Sequence, residues 1–174
     1  MTQRISVDDT VLTLAASVVD RTRDLIQDGW VKGALNAGYK GAEEFCIHGA
    51  MGLALQEVFG YTGDTGRVNV CGGIAADNRG YGQVEAICTA FIVDEANTQF
   101  NFGGNFAIGN LSAAPFNDAA ERKHEDVLSV LDAASKRIWD LTLNPEPEFQ
   151  FSQWADVDTQ SERAKQFLYA SLGN

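Results

Sequence analysis

Hydrophobic positions recur every three or four residues along much of the chain, and this spacing predicts amphipathic helices. The stretches that show it span about residues 6–28, 43–59, 83–95 and 123–141, with a shorter one at 161–172. Polar or glycine-rich segments separate them, which is typical of turns and loops. The sequence therefore predicts a mainly helical fold of about five helices.

The predicted helix at 43–59 contains unusually small residues. Gly49, Ala50, Gly52 and Ala54 all lie inside it. An interior glycine costs about 0.5–1 kcal/mol relative to alanine. Close approach of a neighbouring helix would offset that cost. We therefore expect this helix to be buried at the centre of the fold.

Short stretches in which apolar and polar residues alternate indicate strands. They lie at 68–70, 100–102 and 149–151. Together they predict a small antiparallel sheet beside the helices, and an α+β fold is the alternative. The segments at 61–82 and 99–117 are rich in glycine and asparagine and predict long loops. A chain of 174 residues is typical of one compact domain, 1–174.

The charge balance limits the kinds of partner that the protein can have. The net charge is −11, from 24 acidic and 13 basic residues, which argues against binding to nucleic acid or to an anionic membrane. No apolar run approaches the ~18 residues that a membrane-spanning helix requires. The three cysteines are an odd number and no secretory signal is visible, so we expect a cytoplasmic protein with reduced thiols. We expect the acidity mainly to keep the protein soluble; the alternative is that it serves a basic partner protein.

Cys46 is the strongest candidate nucleophile. A thiol in the first turn of a helix can have its pKa lowered by the helix dipole. Glu43 and Glu44 lie close by in sequence, however, and negative charge raises a thiol pKa. Free cysteine is also among the most buried residue types. We therefore favour a Cys46 side chain that fills the core over a catalytic one.

A cysteine hydrolase would need a base and a residue that orients it. His124 is the candidate base, and Asp118 or Asn117 would orient it. His48 is excluded as the base of Cys46, because residues two apart on a helix point to different faces. Asn117 and Asp118 also precede a predicted helix, where these residue types commonly form turns or caps.

No motif indicates a metal ion or a cofactor. The cysteines and histidines are scattered and lack the spacing of zinc ligands. Residues 104–109 have the glycine spacing of a phosphate-binding loop but lack the lysine and the hydroxyl residue that complete it. We expect the protein to bind neither a metal ion nor a cofactor.

Residues 140–162 combine acidic and aromatic side chains, with no base between Arg137 and Arg163. Such a surface suits a basic partner protein. The residues expected to form it are Phe149, Phe151, Trp154, Asp156 and Asp158. The alternative, favoured because exposed aromatic patches are uncommon, is that the aromatic rings pack inward and the acids only face solvent.

Three short motifs occur in a fixed order. They are Trp30-x-x-Gly33-Ala34, Cys46-x-x-Gly49-Ala50, and Asn117-Asp118 ahead of ERKHEDVLSVLDAA. This series resembles a family of small uncharacterised proteins from actinobacteria and their phages, labelled as a domain of unknown function. The resemblance spans about residues 25–135 and implies a shared architecture that includes the motif residues, but no activity. Lys123 stands where the family often has threonine, so we expect the capping box with Asp126 to be lost.

These observations favour a non-enzymatic binding protein, encoded by a phage or a similar element and directed at a host factor. The first alternative is a cysteine hydrolase that uses Cys46 and His124. The second is a protein that sequesters a small ligand in a pocket formed by the loops at 61–82 and 99–117. The sequence gives no indication of the oligomeric state.

Overall fold

The computed structural model describes residues 9–34, 36–39, 42–59, 79–101 and 113–144. The mainly helical fold is confirmed. Within the described part the helices are α1 (Asp9–Asp28), α2 (Ile47–Val58), α3 (Arg79–Phe100), α4 (Ala114–Asp118) and α5 (His124–Leu143). Two short strands, β1 (Asn36–Tyr39) and β2 (Ala42–Phe45), lie between α1 and α2 and pair antiparallel. None of the described helices is both long enough and apolar enough to cross a membrane.

Helix α1 occupies the centre of the described fold. It packs against α2, α3 and α5, and it also contacts β2. Ala15, Val18 and Ile26 on its apolar stripe are fully buried. The expectation that the glycine-bearing helix would be central was wrong, because the stripe of α1 is wide enough to contact three helices at once. Helix α2 is nevertheless buried through its small residues, as expected.

Residues 43–45 form a strand, although the sequence predicted the start of a helix there. Phe45 lies between two neighbours, β1 on one side and residues 29–31 on the other. The Phe45 N–H donates to the Gly29 carbonyl at 3.0 Å, and the Val31 N–H donates to the Phe45 carbonyl at 3.1 Å. These pairings hold the segment extended, so α2 begins only at Ile47.

Helix α3 is longer at both ends than the predicted helix at 83–95. The hydrophobic pattern stops early because Asp94 and Asn97 are polar, yet both side chains are buried. The predicted strand at 100–102 is wrong at its first residue, because Phe100 ends α3 and Asn101 follows with φ of 43°. The predicted loops are correspondingly shorter, since 79–82, 99–100 and 114–117 are helical.

Several predicted elements lie outside the described residues. They are the strands at 68–70 and 149–151, the helix at 161–172 and most of the two glycine-rich loops.

Helix α5 begins with half of a capping box. The Asp126 carboxylate accepts a hydrogen bond from the Lys123 backbone N–H at 3.0 Å. The ammonium group of Lys123 has no lone pair, so it cannot return the bond as threonine would. The expectation that the box would be lost therefore holds for one of its two bonds only.

Candidate functional site

The three sequence motifs meet at the side chain of Asn117, which is fully buried. Its Oδ1 atom accepts hydrogen bonds from Trp30 Nε1 at 2.8 Å and from the Ile47 backbone N–H at 3.2 Å. Its Nδ2 atom donates to the Val31 carbonyl at 3.1 Å and to Asp118 Oδ1 at 2.8 Å. A single amide thus joins the segment after α1, the start of α2 and the end of α4.

Asp118 extends this arrangement to Gly33, the glycine of the first motif. Its Oδ1 atom also accepts the backbone N–H of Gly33 at 2.9 Å. Gly33 has φ of +72°, a backbone conformation that residues with a Cβ rarely adopt, which accounts for glycine here. Asn117 and Asp118 therefore do not cap α5. They lie in α4 and bond back to residues 30–33. We call Trp30, Val31, Gly33, Ile47, Asn117 and Asp118 the Asn117 network.

Cys46 lies next to this network as the N-cap of α2. Its Sγ atom accepts the Gly49 backbone N–H at 3.4 Å, and only 5% of the residue is exposed. Burial raises the pKa of the Cys46 thiol and outweighs the backbone N–H groups of Gly49 and His48, which lower it. The negative charge of Asp118 raises it further. The thiol is thus held in its protonated form and serves as a cap.

His124 stacks on the ring of Trp30. The two rings stack with centroids 5.7 Å apart and an interplanar angle of 10°. The His124 Nε2 atom lies 2.7 Å from the Ile26 carbonyl at the end of α1, so this nitrogen carries a proton that it donates. The imidazole therefore fastens the start of α5 to α1, and it is half-buried.

Trp30 thus contacts two candidate residues. Its ring nitrogen donates to Asn117, and His124 stacks on its ring face. The structure brings these residues and Cys46 into one region. Within the described residues, however, no hydrogen bond joins Cys46 to His124. The thiol and the imidazole are each bonded to backbone, so the arrangement is that of a scaffold.

Charged residues whose burial the sequence analysis did not predict lie near the ends of α3 and α5. Arg122 is 6% exposed, and its guanidinium lies over the rings of Phe100 and Phe116 at 4.4 and 4.0 Å. Asp94 is fully buried and forms an ion pair with Arg137. Asp94 and Arg137 lie 43 positions apart in sequence, so their pairing leaves no local signal in the chain.

Two predicted features remain, the acidic and aromatic segment and the absence of a metal site. Phe149, Phe151, Trp154, Asp156 and Asp158 lie outside the described residues. In the described ranges, no group of three or more histidine, cysteine or acidic side chains is arranged to hold a metal ion.

Comparison with known proteins places the network in a family. The model of a family of unknown function (DUF6197) matches residues 10–137, which include all three motifs and the whole of the Asn117 network. Neither the curated proteins nor the solved structures include a significant match to the chain.

Proposed function

We infer that this chain, which belongs to the family of unknown function DUF6197, is a non-enzymatic binding protein. The observation that supports this inference is the state of its best candidate nucleophile. Cys46 is buried, protonated and bonded to the α2 backbone. A nucleophilic cysteine needs the opposite environment, with an accessible sulfur and a lowered pKa.

The binding surface that we propose is the acidic and aromatic segment at 149–158. It lies beyond residues 10–137, the part that the family model matches. Aromatic side chains supply contact area and the acids supply charge, which together suit a basic partner protein. The resemblance to phage proteins supports a host factor as that partner and the host cytoplasm as the site of action.

This proposal is tested by affinity capture with matched variants of the full chain. Asp156→Asn with Asp158→Asn removes two charges from the proposed surface, and Phe151→Ala removes contact area. Asp24→Asn with Asp28→Asn is the control, because it removes two exposed charges from α1.

Wild type and control are expected to retain the same basic protein from a lysate of the host cell. Both surface variants are expected to lose it. The proposal fails if no protein is retained, or if the surface variants retain it as well as the control does.

The rival function of a cysteine hydrolase has one observation in its favour, the common location of Cys46, Asp118 and His124. It would require the thiol to leave the Gly49 N–H and His124 to release the Ile26 carbonyl. The small-ligand alternative depends on loops that lie mostly outside the described residues. Neither has support equal to that for binding.

A further inference from the structure

Within the described part of the chain, the strand pair β1–β2 has one edge that is covered and one with no strand beside it, which we call the open edge. Residues 29–31 cover the outer edge of β2. Among the residues that the structure describes, β1 pairs with β2 alone. Open strand edges are usually protected by short strand length, a charge, a proline or a bulge, and β1 has the first of these with its four residues. The residues of β1 are Asn36, Ala37, Gly38 and Tyr39, which include neither a charge nor a proline.

The hydrogen bonds of Phe45 determine which groups the open edge presents. Its N–H and C=O both point to residues 29–31, so its pair with Asn36 is a non-hydrogen-bonded one. Pairs alternate along an antiparallel ladder, which makes Ala37 with Glu44 the hydrogen-bonded pair. The N–H and C=O groups of Asn36 and Gly38 therefore point away from β2. These are the groups that an added strand would bond.

The charged residues paired directly across from β1 are acidic. Glu44 lies directly across from Ala37, Glu43 lies directly across from Gly38, and both acids are exposed. A strand added to β1 would lie about 10 Å from β2, at the usual strand spacing. The β1 residues in between are Ala37 and Gly38, which carry only a methyl group and a hydrogen atom. A long side chain from the added strand can therefore extend over β1 to reach the carboxylate of Glu43 or Glu44. Successive residues face opposite sides of a sheet, as Glu43 and Glu44 do.

We propose that the open edge of β1 binds an extended segment of a basic partner protein that carries two adjacent basic residues. The segment adds a strand beside β1, bonds the backbone of Asn36 and Gly38, and places one basic side chain near each of Glu43 and Glu44. This inference rests on the proposed function only in that the partner is a basic protein. It uses a different surface from 149–158, so the two are separable by experiment.

The test is a titration of the full chain, labelled with ¹⁵N, with the capped hexapeptide Thr-Val-Arg-Arg-Val-Thr. Two peptides serve as controls. One has glutamates in place of the arginines, and the other is N-methylated at alternate backbone nitrogens, which keeps the charge and removes strand-pairing donors. The amide resonances of Asn36 and Gly38 are expected to move with the arginine peptide and with neither control.

Variants of the chain test the charge requirement. Glu43→Gln with Glu44→Gln is expected to weaken binding roughly three- to tenfold, as the loss of two exposed ion pairs implies. The matched control Asp24→Asn with Asp28→Asn removes the same charge from α1 and is expected to bind within about twofold of wild type, because distant exposed charges are largely screened.

Each contrary outcome overturns the proposal in a recognisable way. If the N-methylated peptide binds equally well, the attraction is charge alone. If resonances of 149–158 move and those of β1 do not, the acidic segment takes the peptide, which leaves the proposed function standing. If the Gly38 amide moves with protein concentration in the absence of peptide, the edge is occupied by a second copy of the chain.

Discussion

Replacing Asn117 with alanine removes the side chain that joins the three motifs. The Ile47 N–H is then left without an acceptor, and Ile47 is fully buried. A buried donor without a partner costs about 1–3 kcal/mol. Trp30 and Val31 are half-buried and Asp118 is exposed, so water can partly replace their bonds.

Each of those lost bonds therefore costs near the lower end of the usual range of about 0.5–1.5 kcal/mol. Together the losses amount to roughly 2–5 kcal/mol of unfolding free energy. A typical protein is stable by about 5–15 kcal/mol, so this is a large fraction of the total. For a chain of this length it corresponds to a fall in Tm of roughly 4–20 °C.

The assay is urea unfolding followed by far-ultraviolet circular dichroism. Asn144→Ala is the control, because Asn144 is exposed and its hydrogen bond within the described residues comes from its backbone N–H, which donates to the Asp140 carbonyl at 2.9 Å. It is expected to change stability by less than about 0.5 kcal/mol. Asp118→Ala is expected to lower the free energy of unfolding by an intermediate amount, about 0.5–1.5 kcal/mol. A value for Asn117→Ala within about 1 kcal/mol of wild type would refute the role assigned to this amide.

Further predictions concern packing and charge elsewhere in the chain. Gly29→Ala is expected to cost about 1–3 kcal/mol in urea unfolding, because the new Cβ would lie 2.6 Å from the backbone oxygen of Glu43; an unchanged midpoint would contradict this close contact. Arg137→Met is expected to cost about 3–5 kcal/mol because it leaves the buried Asp94 carboxylate unpaired, whereas Arg137→Lys retains part of the stability. Burial raises the pKa of Glu85 above its usual 4.5, so the folded state resists ionisation at this position. Glu85→Gln is therefore expected to raise Tm near neutral pH, with the gain vanishing as the pH falls below 4.5, and a gain independent of pH would be inconsistent with this cause.

The long helices were predictable from the sequence because their stability depends on a local pattern. Helices α1 and α5 carry apolar residues at regular helical spacing, and their bounds differ from the prediction by three residues or fewer. The strand pair was not predictable in the same way. Its residues do not alternate, and the extended conformation of 43–45 is set by bonds to residues 29–31 that lie earlier in the chain.

The sequence predicted that the motif residues belong to one shared architecture. It did not predict which of them contact each other. Asn117 bonds Trp30 and Ile47, which lie 87 and 70 positions away in sequence. A single sequence records which residues are present but not which of them meet. The local preference of asparagine for turns and caps therefore dominated the prediction, whereas in the fold this side chain satisfies distant backbone and ring donors.

We propose that Cys46 is a buried helix cap and not the nucleophile of a cysteine hydrolase. The most direct test is the rate at which iodoacetamide labels each thiol as a function of pH, read by peptide mass spectrometry on folded and urea-unfolded protein. We predict that Cys46 in the folded chain stays unlabelled through neutral pH and reacts only on unfolding, because only 5% of the residue is exposed and burial raises the pKa of its thiol. Fast labelling of Cys46 in the folded protein below pH 7, with the other thiols protected, would show a stabilised thiolate and contradict the account.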